Sequence, residues 1–358
     1  MVAATSSFSR AAFPTPSLSR TGGAAVTAKP AVSSPATING VYALSAMQGG
    51  LINSHVLANP YVDGIVLHYS WAAIEPRDGV FNWNPVDSQI AQAKARGKKV
   101  SLSVMAGYQS PSWLYAEGAE GFQFVWDKPW GPPLCSVQKI PVPWDSIFLA
   151  RWTAFVQAFG GRYSSNPTVS HVKIAGINSY THEIFLPHSV KVSVNGGQCT
   201  TFNDVADWQA IGYTRTKVEA GWQQIADTYH LFFPNMKFAA QLLPAGFPPI
   251  DANGNLISGQ TMDYQVSADI LNNGIADYGL QFVGQNNGLS ATWIWPTLVS
   301  VSGQIYTGYQ MVGVMGSSLQ AAVTLAVRSK AKFIEIYTTD ILNPSLQPVL
   351  QSAHQNLQ

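Results

Sequence analysis

The chain has 358 residues, a formal net charge of +1 and only 11% charged residues, well below the roughly 25% usual for soluble domains. That balance excludes a surface built to hold nucleic acid or an anionic membrane by charge, and no apolar run reaches the ~18–20 residues of a membrane span. Polarity rests on Asn, Gln, Ser and Thr beside 11 Trp and 14 Tyr, which suits the binding of neutral polyols through amides and aromatic faces.

Residues 1–38 are rich in Ala, Ser, Thr and Pro, carry Arg10, Arg20 and Lys29, and contain no acidic residue. They lack the apolar h-region of an intact signal peptide and are expected to be a leader or linker outside the folded domain of residues 39–358. A segment left after signal removal implies a secreted or extracytoplasmic protein. A transit-like peptide implies an organellar one.

From Gly40 onward, short apolar runs alternate with amphipathic segments. Strands are expected over residues 41–46, 64–68, 100–105, 172–177, 237–242, 279–283, 306–311 and 333–337. Helices are expected between them, over 84–96, 146–160, 203–231, 267–276, 317–329 and 344–356. The first of these begins with Asn84 as a cap and Pro85 at the first helical position, and Gly97 follows it as a stop. Eight strands alternating with helices predict an α/β fold, a (β/α)₈ TIM barrel. A doubly wound sheet is disfavoured, because the first strand leads into AMQGGLINS and not a GxGxxG turn. In a barrel the loops after strand ends form the active face, so the insertions over 106–143 and 187–201 belong above the site. Cys135 and Cys199 fall in those two insertions. They are either a disulfide of an oxidising compartment or two separate thiols. Neither lies in a CxxC pair or near a His cluster, so no metal and no cofactor is expected.

Two isolated carboxylates stand out. VKIAGINSYTHEIFLP delivers Glu183 just past an apolar strand, and KFIEIYTTD carries Glu335 within one. Alternation puts Phe333, Glu335 and Tyr337 on one face of that strand. This is the barrel face, since an unpaired carboxylate under the outer helices costs several kcal/mol. Lys332 or Arg328 is the ion-pair partner within reach of sequence, and Asp340 is a competing acid three residues beyond the strand. Paired carboxylates of this kind perform glycosidase acid/base chemistry.

The segment GIVLHYSWAAIEPRDGVFNWNPVDSQIAQAKARGKKVSLSVMAGYQSPSWL, residues 64–114, resembles the clan A glycoside hydrolases, especially the beta-galactosidase-like barrels, in the order W..IEP..G.F.W, helix, strand, Pro-Ser-Trp-Leu loop. The resemblance implies hydrolysis of glycosides with retention, an acid/base Glu at the end of strand four and a nucleophilic Glu at the end of strand seven. Glu183 matches the first. It is preceded by His182 where such families have Asn. The seventh strand carries Gln310 and no carboxylate, and Glu335 falls one strand later.

Strand ends supply the expected substrate contacts: His68, Tyr69 and Trp71; Tyr108 and Trp113; Asn178 and His182; Gln241; Gln285, Asn286 and Asn287; Gln310 and Tyr337. Trp293 and Trp295 are expected in a cleft wall. Glu75 reads as a structural loop glutamate. The expected partner is an oligo- or polysaccharide, a neutral β-linked glycan. The alternative is a non-catalytic carbohydrate-binding barrel that has lost the strand-seven nucleophile. A lyase or isomerase is disfavoured because Lys173 and Lys237 read as strand starts, the wrong end of a barrel.

Overall fold

In the computed structural model, which describes residues 37–44, 50–190, 193–194, 197–199 and 203–357, eight strands close into one parallel barrel. They are β1 (Gly40–Leu44), β2 (Gly64–Ser70), β3 (Lys99–Met105), β4 (Val169–Ile174), β5 (Lys237–Leu242), β6 (Phe282–Leu289), β7 (Tyr306–Met311) and β8 (Phe333–Tyr337). Each pairs with the next in sequence, and β8 pairs back onto β1. The helices that follow them in turn are α1 (Ser54–Ala58), α2 (Asn84–Lys94), α3 (Ser146–Tyr163), α4 (Arg215–Phe232), α5 (Gln265–Tyr278), α6 (Pro296–Ser300), α7 (Leu319–Arg328) and α8 (Gln347–Asn356). The expected (β/α)₈ TIM barrel is therefore the observed fold.

The local signals behave as their chemistry dictates. Asp145 caps α3 by accepting from the Phe148 amide at 2.7 Å, and Thr214 caps α4 by accepting from Lys217 at 3.1 Å. The helix expected over 203–231 is two helices, Asp204–Ala210 and α4, because Gly212 turns the chain at φ +75° and Thr214 starts a new cap. Asn84 is the first residue of α2 and not its cap; Trp83 holds the cap position and makes no side-chain bond. The leader expected over residues 1–38 lies outside the described residues except for its last two. Of these, Ile38 is fully buried in the floor of the barrel.

The barrel interior changes character along its axis. Its lower layer is apolar, built from Tyr42, Val66, Ala239, Val283 and Phe333 around Ile38, with the His171 ring against Tyr42 and Phe333. Above it the inward positions are polar: His68, Ser103, Lys173, Gln241, Gln285, Gln310 and Glu335. This polar lining explains two boundary differences. β4 begins at Val169 and not Val172, and β6 runs on to Leu289 and not only to Val283, because Ser170, His171, Gln285 and Asn287 belong to strands while looking like loop residues. Outside the strands, Trp71, Trp152, Phe155, Phe159 and Tyr163 stack into an aromatic layer under α3, each large side chain contributing roughly 1.5–3 kcal/mol by burial.

The insertion after β3 forms an antiparallel hairpin of Gly121–Val125 and Val137–Pro141. Cys135, beside that hairpin, is disulfide-bonded to Cys199 of the insertion after β4, so of the two readings of the cysteines the structure has the bridge.

Inside the barrel, Gly308 leaves room for the Phe333 ring: a Cβ at Gly308 would stand 2.0 Å from a ring carbon. Gly308→Ala is expected to cost about 1–3 kcal/mol by overpacking. Adding Phe333→Leu should restore part of that loss, as read from melting temperatures of the single and double variants.

Candidate active site

The acid candidate arrives by an interruption of β4. After Ile174 the chain leaves the sheet over residues 175–183 and returns at Ile184, which bridges Leu242 and donates to the Gln241 carbonyl at 2.8 Å. Gly176, at φ +139°, makes the exit; a side chain there would also meet Ile225 at 2.7 Å. Asn178 staples the excursion shut. Its Oδ1 accepts from the Gly176 amide, and its Nδ2 donates to the carbonyls of His182 and Glu183 at 3.0 and 2.9 Å. The closed loop presents Glu183 at the C-terminal mouth, where Oε1 accepts from Asn287 Nδ2.

Below it lies a buried ion pair. Lys173 Nζ stands 2.6 Å from Glu335 Oε1, and both side chains are 0% exposed. Lys173 is the fifth residue of β4, not a strand-start lysine, so the partner of Glu335 crosses the barrel, in place of Lys332 or Arg328. Burial lowers the Lys173 pKa, and the charges of Glu335 and then Glu183 oppose that shift. In the register of β7 and β8, Gln310 pairs with Glu335. The buried carboxylate thus stands one strand, about 4.8 Å, from the place where the clan resemblance expects one.

Two histidines form a wall. The rings of His68 and His182 stack with centroids 3.9 Å apart and planes 12° from parallel. Ser103 Oγ shares a 2.7 Å hydrogen bond with His182 Nδ1. Burial and the Lys173 charge push the His182 pKa down to about 3; burial, then His182 and Lys173, push His68 down as well. Both rings are therefore neutral at ordinary pH. Tyr337, half-buried, is raised by burial first and then by the charges of Glu183 and Glu335.

Around this centre several buried polar atoms have no hydrogen-bond partner among the described residues: His68 Nε2, His182 Nε2, Glu183 Oε2, both amide ends of Gln241, Gln285 Oε1 and Glu335 Oε2. Buried polar groups are nearly always partnered, so this part of the barrel interior carries polar atoms that the described residues leave unsatisfied.

The structure brings together His68, His182, Gln241, Gln285, Asn287, Gln310, Tyr337, Glu183 and Glu335. It separates others. Tyr69 points to the outer face of β2 and donates to Gln89, and Trp71, the first residue of the short helix Trp71–Ile74, donates to Glu75 at 2.6 Å. Trp113 donates to the Glu75 carbonyl. Glu75 also accepts from the Gly79 amide, consistent with a structural role. Asn286 turns away and donates to the Leu242 carbonyl, and the amide of Asn178 is committed to its loop. Tyr108 packs on Trp126. Asp340 accepts from the Met315 and Gly316 amides and fastens the loop after β7. Trp293, 44% exposed, rests on Gly288, next to Asn287, whereas Trp295 is buried. Lys173 and Ser103 were not expected here; the period-two spacing of His171 and Lys173 with the inward face of β4 was the available signal.

Two measurements check the electrostatics. Breaking the pair by Lys173→Met leaves a buried uncompensated carboxylate and is expected to cost about 3–5 kcal/mol, much of it recovered in the Lys173→Met/Glu335→Leu double variant, as read by denaturant unfolding. A histidine whose folded pKa is depressed gives its full stability above its unfolded value near 6.5, and loses it as pH falls toward the folded value. Lowering the pH to about 5 should thus cost about 2 kcal/mol through His182, and His182→Gln should show a correspondingly shallower pH dependence of unfolding.

Residues 64–184 match the family model described as beta-galactosidase. No curated protein matches the chain by sequence. Among solved structures the chain is similar to a beta-galactosidase from the psychrophilic Marinomonas ef1, at 10% identity over 88% of this chain and 59% of that one, with a TM-score of 0.50. It is also similar to the catalytic domain of a beta-amylase from Paenibacillus polymyxa, at 13% identity over 90% of this chain and 99% of that one, with a TM-score of 0.55. The chain thus spans about three fifths of the length of the Marinomonas enzyme. At these identities the structural likeness is one of fold, a (β/α)₈ barrel, and over residues 64–184 the chain is similar to the beta-galactosidase family.

Proposed function

We propose that this protein is a glycoside hydrolase that cleaves a neutral β-linked glycan with retention, using Glu183 as the general acid/base and Glu335 as the second carboxylate. The observation that carries the reading is Glu183 at the barrel mouth, hydrogen-bonded to Asn287 above a set of buried polar atoms that lack protein partners. Hydroxyl groups of a sugar satisfy such atoms without adding charge, and the chain has little charge to offer in return.

In this mechanism Glu183 gives its proton to the glycosidic oxygen as the anomeric C–O bond breaks. The Glu335 carboxylate forms the new bond to the anomeric carbon. One of its oxygens, Oε1, is held by Lys173, and Oε2, buried and without a protein partner, attacks once the side chains above it part for the substrate. Glu183, now a base, takes a proton from water, and the water oxygen displaces Glu335. Asn287 orients Glu183, and Gln241, Gln285 and the His68–His182 wall supply contacts to ring hydroxyls. The disulfide between Cys135 and Cys199 suits an oxidising compartment and so favours a secreted or extracytoplasmic protein over an organellar one.

A panel of β-linked oligosaccharides with reducing-end detection tests the reading. Wild type is expected to release sugar, and Glu183→Gln to lose about 10²–10⁴-fold in turnover with an unchanged melting temperature. Near-normal activity of that variant, or binding by wild type without release, sinks the assignment. Proton NMR of the first-formed anomer reports retention directly: a β-anomer is expected from a β-glycoside.

A further inference from the structure

We propose that the Cys135–Cys199 disulfide is a redox-sensitive latch on the acid loop, and that Trp126 is the positioning residue through which it acts. The proposal concerns the order of the loop that carries Glu183. Its catalytic consequence rests on the glycosidase reading.

The path from disulfide to acid is short and continuous. The backbone of Cys135 donates to the Trp126 carbonyl at 2.8 Å, and the Trp126 amide donates to the Ser136 carbonyl at 2.8 Å. The disulfide therefore holds the strand partner of Trp126. The Trp126 side chain is fully buried and donates from Nε1 to the Trp130 carbonyl at 2.7 Å. Its ring meets Tyr180 edge-on at 5.5 Å and Tyr108 at 4.8 Å. Phe124 of the same hairpin also packs on Tyr180, at 5.2 Å. Tyr180 sits in the middle of the 175–183 excursion, three residues before Glu183, and is packed on its other side by Phe185.

The excursion is tied to the barrel near both ends: Trp152 Nε1 donates to the Ala175 carbonyl at 2.8 Å, Ser103 shares a hydrogen bond with His182, whose ring stacks on His68, and Asn287 donates to Glu183. It is held at its ends by the β4–β5 pairing and internally by Asn178, while the Tyr108 amide donates to the Ser179 carbonyl. Between those ends, Tyr180 is covered by Trp126 and Phe124 of the hairpin and by Phe185. The anchor of that cover is a disulfide with one exposed residue, Cys135, and one buried residue, Cys199, and disulfides are cleaved by attack of a thiolate on a sulfur. A dithiol reductant gives two electrons and two protons to the S–S bond. The bond breaks to two cysteine thiols, and the reductant is oxidised to its own cyclic disulfide. With the bridge open, the hairpin end is no longer bound to the insertion after β4, and Trp126 loses the support that presses it on Tyr180. The acid loop is thereby ordered only after oxidation, so that activity appears when the chain reaches an oxidising environment.

Hydrogen exchange read by mass spectrometry on the intact chain, oxidised and after dithiothreitol, tests this without reference to activity. Peptides spanning residues 175–186 are expected to exchange about tenfold faster after reduction, while β2 and β8 peptides stay protected. Trp126→Ala with the disulfide intact should loosen the same peptides, and Trp126→Phe should not. Unchanged exchange after reduction overturns the latch. Loss of protection throughout the barrel overturns it as well, since the bridge is then a general staple. On any glycoside that wild type cleaves, reduction is expected to lower kcat by about 10–100-fold with KM within about threefold, reversibly on reoxidation. Loosening of 175–186 without any glycoside being cleaved upholds the latch and overturns only the glycosidase reading.

Discussion

The interior of this barrel is organised around one buried pair of opposite charges. Lys173 and Glu335 are both inaccessible to water and meet across the barrel at 2.6 Å. Neither charge is tolerable there alone. The pair occupies the middle of the barrel, with polar side chains above it and a largely apolar layer, interrupted by the His171 ring, below it. The lysine charge also helps to keep His68 and His182 neutral, and it lies within electrostatic reach of Glu183. The charge of Lys173 thus adds to burial in keeping the wall neutral and reaches the carboxylate at the rim.

The same pair lies one strand from the place where the clan resemblance expects a carboxylate. β7 has no carboxylate, and its Gln310 stands beside Glu335 in the sheet register. Moving an anion sideways by one strand keeps it near the barrel axis but changes its nearest cation. In this protein that cation comes from β4, the strand that also leads to Glu183. The two carboxylates are consequently linked through a single strand: one is paired to it and the other is carried just beyond it.

The number and order of strands were legible because apolar runs bounded by turn residues recur in a chain poor in charge. The inward face of β8 was legible from the alternation in FIEIY. What escaped was anything that depended on which face of a strand is inward when that face is polar. Lys173 looked like a strand start because the residues before it, Ser170 and His171, are polar, yet they lie inside the barrel. Tyr69 and Trp71 looked like site aromatics because they follow His68, but a period of two sends Tyr69 outward and the start of the next helix buries Trp71 beneath α3. The separation of Asn178 from the site was invisible for a different reason: its amide is used by backbone groups of its own loop, a closure that spacing alone does not reveal.

The staple formed by Asn178 has a consequence for how the acid is aimed. In most strands the direction of a side chain is set by the sheet, and shifting it by one residue reverses every neighbour. Glu183 is exempt, because it stands at the end of a closed excursion whose two limbs both return to the β4–β5 seam. Within that excursion Gly176 makes the exit, Asn178 makes the closure and His182 belongs to the wall, so these three positions fix the loop. The position of Glu183 is thus set by a closed loop mounted on the barrel and not by the barrel's own register.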